Sequence, residues 1–156
     1  MHGWIILIAC LGGLASVGVT AWMGHLLNER RRRHRSDDMR KNFFRRREWL
    51  EAEFLKLASR SGKPRGLEWA NCDFDNEVAF ARDRHSGELR ALVGITVSFT
   101  AIEGGGMEDV EAVHNLRSAT AVFRCEIDRW TTDGRAVFNL NPNETIRHYQ
   151  HELESA

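Results

Sequence analysis

From Gly3 to Leu27 the chain carries no Asp, Glu, Lys or Arg, and five arginines then fall in six positions: Arg30, Arg31, Arg32, Arg33 and Arg35. A helix over those 25 residues rises about 37 Å, more than the ~30 Å hydrocarbon core of a bilayer. The pattern predicts a transmembrane helix with Trp4 and Trp22 as its interfacial aromatics. Beyond it, Ser36 followed by Asp37 and Asp38 reads as a helix start, an N-cap hydroxyl with acids on the positive end of the dipole. Met39, Phe43, Leu50, Phe54 and Leu57 share one face at helical period, which predicts a long helix over 37–61 stopped by Gly62, Pro64 and Gly66.

From Leu67 the period changes to two. Val78 and Phe80 alternate with small or charged residues, and Asp83 to Glu88, "DRHSGE", has the composition of a hairpin loop with a bulge. Leu89, Ala91, Val93, Ile95, Val97, Phe99 and Ala101 line one face of a long strand. The opposite face, Arg90 to Thr100, is smaller and more polar, as in a sheet with one buried side. Ala119, Ala121, Phe123, Cys125 and Ile127 line a further strand, Asp133-Gly134 signals a two-residue turn, and Ala136, Phe138 and Leu140 make the return. With that turn Arg129 would point inward, so a bulge or frayed end is expected near Trp130. Asn141, Pro142 and Glu144 mark the start of a short C-terminal helix with Ile146, Tyr149 and Leu153 as its stripe. The predicted class is α+β: a transmembrane helix, a long helix, a four- to five-stranded antiparallel sheet and a short C-terminal helix, with the helices on one sheet face. A long helix across a curved antiparallel sheet is the layout of cystatin and NTF2-like folds, which serve many functions.

Charge divides the chain. Residues 28–47 hold ten Lys/Arg against three Asp/Glu, and residues 48–156 hold twelve against nineteen. The predicted organisation is an anchor over 1–27, a basic juxtamembrane segment over 28–47 and a head over 48–156. The basic segment suits anionic lipid headgroups, with Phe43 and Phe44 dipped in, or else forms a solvated stalk. The acidic head is a poor match for nucleic acid, because phosphate contacts need clustered Lys and Arg. Arg30, Arg31, Arg32, Arg33 and Arg35 mark a cytoplasmic flank, which places the N-terminus outside and the head in the cytoplasm of a single-pass protein. The alternative is a cleaved export signal, with Val19-Thr20-Ala21 as the cleavage site and a secreted domain after it. Gly12, Ser16, Thr20 and Gly24 recur every four residues, a small-residue face on which two such helices could pack as a homodimer. Cys10, Cys72 and Cys125 form neither a CxxC motif nor an even framework, so no zinc ribbon or disulfide scaffold is indicated.

Few residues suggest chemistry. Asp73, Asp75 and Glu77 would line one face of a strand, yet no loop glycine or distal glutamate completes a calcium motif. His148 and His151 share a side of the last helix without a third ligand. Glu103 to Asn115, "EGGGMEDVEAVHN", offers three consecutive glycines. Glycine runs cradle anions, but Glu108, Asp109 and Glu111 would repel phosphate and GK[ST] is missing. A lid, a partner-binding loop and a plain connection remain the readings of this segment. No GxSxG or HExxH motif is present. No metal or cofactor is expected.

The stretch Gly66–Gln150, with "GLEWANCDF", "VAFARDRHSGELRALVGITVSFTAIEGGGMEDVEAV", "NLRSATAVF" and "DGRAVFNLNP", resembles a set of uncharacterised membrane-anchored bacterial proteins of the planctomycete kind. The resemblance covers a little over half the chain and implies a bacterial inner-membrane setting, with no activity or site attached. The function expected is therefore a membrane-anchored, non-catalytic binding head with an unidentified protein or small-molecule partner. The alternative is a membrane-tethered hydrolase or isomerase whose site lies between the long helix and the sheet, with His85, His114, Asp73 and Asp75 as candidates.

Overall fold

Phe43, Leu50, Phe54 and Ala58 are all fully buried, at the spacings of one helix face. They belong to two consecutive helices, α1 (Gly3–Arg45) and α2 (Arg47–Ser61). The computed structural model describes residues 3–61 and 66–156, with the backbone alone at 3–21, 61, 112 and 114. The chain divides into two compact units, one ending at Lys41 and the other, the head, comprising Asn42–Ala156.

No helix starts at Ser36, contrary to expectation; α1 continues through it, as it does through Arg30, Arg31, Arg32, Arg33 and Arg35. The preceding Leu, Glu and Arg residues are strong helix formers, and propagation costs less than a fresh nucleus, so the cap signal is overridden. The helix tightens instead at Arg46, whose N–H is shared between the carbonyls of Asn42 at 3.2 Å and Phe43 at 3.1 Å. The expected stops Gly62 and Pro64 lie outside the described residues.

The head is an α+β unit with one antiparallel sheet of six strands: β1 (Leu67–Asp83), β2 (Leu89–Ala101), β3 (Arg117–Glu126), β4 (Arg129–Thr131), β5 (Ala136–Phe138) and β6 (Leu153–Ser155). Their order is β4-β3-β2-β1-β6, and β5 also pairs with β3. The β1–β2 hairpin is as the sequence predicts. Asp83 closes it by accepting from the N–H groups of His85 at 2.9 Å and Ser86 at 3.0 Å, and Gly87 takes φ +73°.

Alternation then assigns the faces. Phe80, Ala91 and Phe123 are in register, and the Phe43 ring centroid lies 5.9 Å from Phe80, 5.4 Å from Phe123 and 5.0 Å from Trp130. Leu92 and Val122, also in register, point to the opposite face and pack with Ala81, Ile146 and Leu153. Ile146 comes from α3 (Pro142–His148). The helices therefore lie on both faces of the sheet, not on one as expected. The composition of the second face hides this: Leu92, Val122, Ala81 and Leu153 are too few per strand to register as a stripe, and only the sheet gathers them.

Three more expectations are corrected. The tight turn after β3 is at Ile127-Asp128, with φ +45° and +62°, not at Asp133-Gly134. Pairing Cys125 with Trp130 buries the indole completely, which outweighs the turn preference of Asp-Gly. Asp133-Gly134 instead lies in the break between β4 and β5. There Gly134, at φ +74°, comes so close to α2 that a Cβ would stand 2.8 Å from the Leu57 carbonyl carbon. Ile127, expected inside, is 97% exposed. At the C-terminus the Asn141–Glu144 capping box forms as expected (2.8 and 2.9 Å). Leu153, however, leaves the helix and joins β6 on the edge of β1, because the second core offers it burial there.

Candidate functional site

The space between α2 and the sheet is filled. Phe54 packs against Trp69, Phe74 and Phe123 at 6.3, 5.8 and 5.8 Å, and Trp69 against Phe99 at 5.6 Å, mostly edge to face. None of the described candidates for a site in that space faces it. His85 is exposed in the β1–β2 turn. Asp73 is opposite Thr96 and Asp75 lies over Gly94, on the face away from α2. The side chain of His114 is outside the described residues.

Asp75 to Glu77 do not continue the alternation expected of them. Phe74 pairs with Ile95 and Val78 with Val93, so these three residues bulge opposite the single Gly94. The bulge has two supports. Gly94 leaves room for the Asp75 carboxylate, and Arg47 donates to the carbonyls of Asp75 and of Asn76, the latter at 2.8 Å, while its Nε bonds Glu51 at 2.6 Å. The acidic run is thus part of a tied-down bulge, and no cluster of His, Cys, Asp or Glu that could hold a metal occurs among the described residues. His148 ends α3 and His151 lies beyond it in a turn, so the two do not share a helix face. Cys72 is half-buried; burial, aided by the charges of Asp73 and Glu51, pushes its thiol up to about 12, which keeps it a thiol, not a nucleophilic thiolate. Cys125 is a buried thiol that takes part in no disulfide among the described residues.

The two ends of the head differ. The near end, where the chain enters at Asn42, carries the β1–β2 turn and the β3–β4 tip. The far end carries the start of β1, the β2–β3 connection and the segment after β5. The glycine loop at the far end is built, not loose. Ile102 N–H donates to Gly66 at 2.9 Å and Gly105 N–H to Ile102 at 2.8 Å. Gly66 and Gly105 touch backbone to backbone: a Cβ on Gly66 would meet the Gly105 oxygen at 2.6 Å. Gly104 and Gly106 take φ +75° and +73°. The backbone amides of Glu108 itself, Gly104, Met107 and Gly105 lower the pKa of the exposed Glu108 carboxyl below the usual range. The loop continues into a 3-10 turn (Glu111–His114) that buries Val113.

Beside this loop lies a surface cleft of about 560 Å³, lined by Leu116, Arg117, Ser118, Asn139, Asn141 and Glu144 among others. Asn141 and Glu144 are occupied by capping α3, whereas Arg117 is exposed and Leu116 is 72% exposed. The cleft offers a cation, an apolar side chain and amide groups, the means to hold a partner. Pattern reasoning missed it, since Leu116 precedes the strand out of phase and Asn139 reaches φ +61° without a turn motif.

In the other unit, the predicted membrane-flank residues Arg30, Arg31, Arg32, Arg33 and Arg35 are all exposed on α1. Of the small-residue face only Gly24 is described, with open space around its Cβ position; Gly12, Ser16 and Thr20 lie outside the described side chains. Most of the apolar run does too, and among the described residues no helix is long and apolar enough to cross a membrane. The chain matches no family model, no curated protein and no solved structure.

Proposed function

We propose that the protein is a single-pass inner-membrane protein whose cytoplasmic head binds a partner at its far end without catalysing a reaction. The observation that carries the anchor is the uncharged stretch Gly3–Leu27 followed by five arginines in six positions. Dimerisation through Gly12, Ser16, Thr20 and Gly24 belongs to the same reading. So does contact between residues 28–47 and anionic headgroups, and the inner-membrane setting accords with the family resemblance. The aromatic packing between α2 and the sheet favours a binding head over an enzyme with its site there. The ordered acidic loop and the adjoining cleft with Arg117 supply the recognition surface. A folded reporter fused after Ala156 tests the topology in intact cells. Cytoplasmic activity is expected, and exchanging Arg30, Arg31, Arg32, Arg33 and Arg35 for glutamine should scramble it. A reporter active only outside the cell would overturn the orientation, and a mature chain beginning at Trp22 would establish the secreted alternative.

A further inference from the structure

At the far end β3 loses its neighbour before its own backbone groups are used up. On the side facing β5, Thr120 pairs with Val137, and Ser118 makes the next rung by accepting from the Asn139 N–H at 2.9 Å. Such a rung in an antiparallel ladder carries two bonds, one in each direction. Here the second is missing, because the Ser118 N–H meets no acceptor among the described residues. Asn139 is the cause. It turns at φ +61°, a conformation that asparagine tolerates, and its carbonyl leaves the ladder. By alternation the main-chain groups of Leu116 point the same way as those of Ser118, and they too bond nothing among the described residues.

Leu116 and Ser118 both line the cleft of about 560 Å³. Its other wall is held in place. The Leu140 carbonyl accepts from the Thr120 hydroxyl at 2.7 Å, the Asn141 carbonyl accepts from the Thr145 hydroxyl at 2.9 Å, and Asn141 and Glu144 cap α3. Both sides of the cleft are thus set by the fold, and no described segment supplies the missing bonds. Arg117 and Glu144 give the cleft one charge of each sign, so no net charge selects its occupant. What it offers is unpaired main chain in line with β5 and the exposed Leu116 side chain. Unpaired strand groups are a template for an added strand. The outer edge of β1, which β6 covers only at Ala81, Arg82 and Asp83, is by contrast blunted by its bulges and by Arg47 on the carbonyls of Asp75 and Asn76.

We propose that the far-end cleft takes an extended peptide segment, which adds to β3 beside Leu116 and Ser118 in line with β5 and is recognised through its main chain. The proposal rests on the reading above that the far end holds a partner, and it names that partner's chemistry. The test pans a phage library of linear heptapeptides on the full chain in detergent, and synthetic copies of the enriched peptides are then measured for affinity. N-methylation of the peptide nitrogens in one alternating phase should weaken binding about tenfold, the worth of a lost main-chain bond, and in the other phase should leave it nearly unchanged. Ser118→Pro should weaken binding as much at a nearly unchanged Tm, since proline there removes an N–H that the head does not use. Should that variant fail to fold, the methylation series on the wild-type chain decides. Peptides lost on Leu116→Asp but indifferent to methylation in either phase overturn strand addition and leave the cleft as a partner site. Peptides that bind the wild type and Leu116→Asp alike, or a library from which nothing is enriched, overturn both readings.

Discussion

Two loops of the head place residues at positive φ, and they do it in opposite ways. In the β2–β3 loop the positive-φ positions belong to Gly104 and Gly106, with Gly105 between them packed against Gly66, and the loop is closed by internal backbone bonds. In the β3–β4 turn they belong to Ile127 and Asp128, and the isoleucine points into solvent. The first loop is selected for its own order. The second holds a β-branched residue at a conformation it disfavours, with its side chain in solvent. The same backbone conformation is thus met by a residue type that adopts it freely and by one that does not.

The sharpest way to break this contrast is Gly66→Ala. The new Cβ meets the Gly105 oxygen at positive φ, so unfolding in urea should occur at lower concentration, a loss of about 3 kcal/mol from backbone strain and overpacking. An unchanged midpoint would mean that the loop closes without this contact. Next comes Asp83→Ala, which removes the acceptor of His85 and Ser86 and the partner of Arg90, and should cost about 2 kcal/mol. The Ser86 N–H first, then that of His85 and the Arg90 charge, hold the Asp83 carboxyl below its ordinary value. Its folded pKa is lower than its unfolded one, so its contribution is present above about pH 4 and is lost as pH falls through the folded value. The variant should therefore lose part of the acid-side slope of stability, measured by urea unfolding between about pH 3 and 6.

Ile127→Asn should move the other way, a gain of about 1 kcal/mol and a rise in Tm of roughly 4–8 °C, because Asn tolerates the left-handed region. A fall in Tm would show that the isoleucine is already rewarded inside the head. The smallest effect belongs to Glu108→Gln. It should leave the unfolding midpoint nearly unchanged yet speed hydrogen exchange of the Gly104 amide, which lowers the Glu108 pKa, while the Gly105 amide, bonded to the Ile102 carbonyl, keeps its rate. The wild-type loop should do the same as pH falls through the lowered Glu108 pKa.

Much of the head was legible because its long strands obey a period of two. The face from Leu89 to Phe99 is buried as alternation requires, and the residues of the Asn141 capping box needed no tertiary context. The candidate site was far less legible. The glycine run announced a loop but not its closure against Gly66, and the cleft at Arg117 joins segments more than twenty residues apart. Asp133-Gly134 misled because the same dipeptide serves a turn and a close approach, and only the position of α2 distinguishes the two.

The sequence by itself determined the α+β class, the helix-then-sheet order, the β1–β2 hairpin and the division between a basic segment and an acidic head. Each follows from local periodicity, turn chemistry or charge, which act within a few residues. The tertiary structure alone decided that Trp130 moves the turn to Ile127-Asp128, that Leu153 leaves its helix for an edge strand, and that both sheet faces carry a helix. Those outcomes depend on burial shared between distant segments, and apolar burial, being non-directional, outweighs local preference wherever the chain brings such surfaces together.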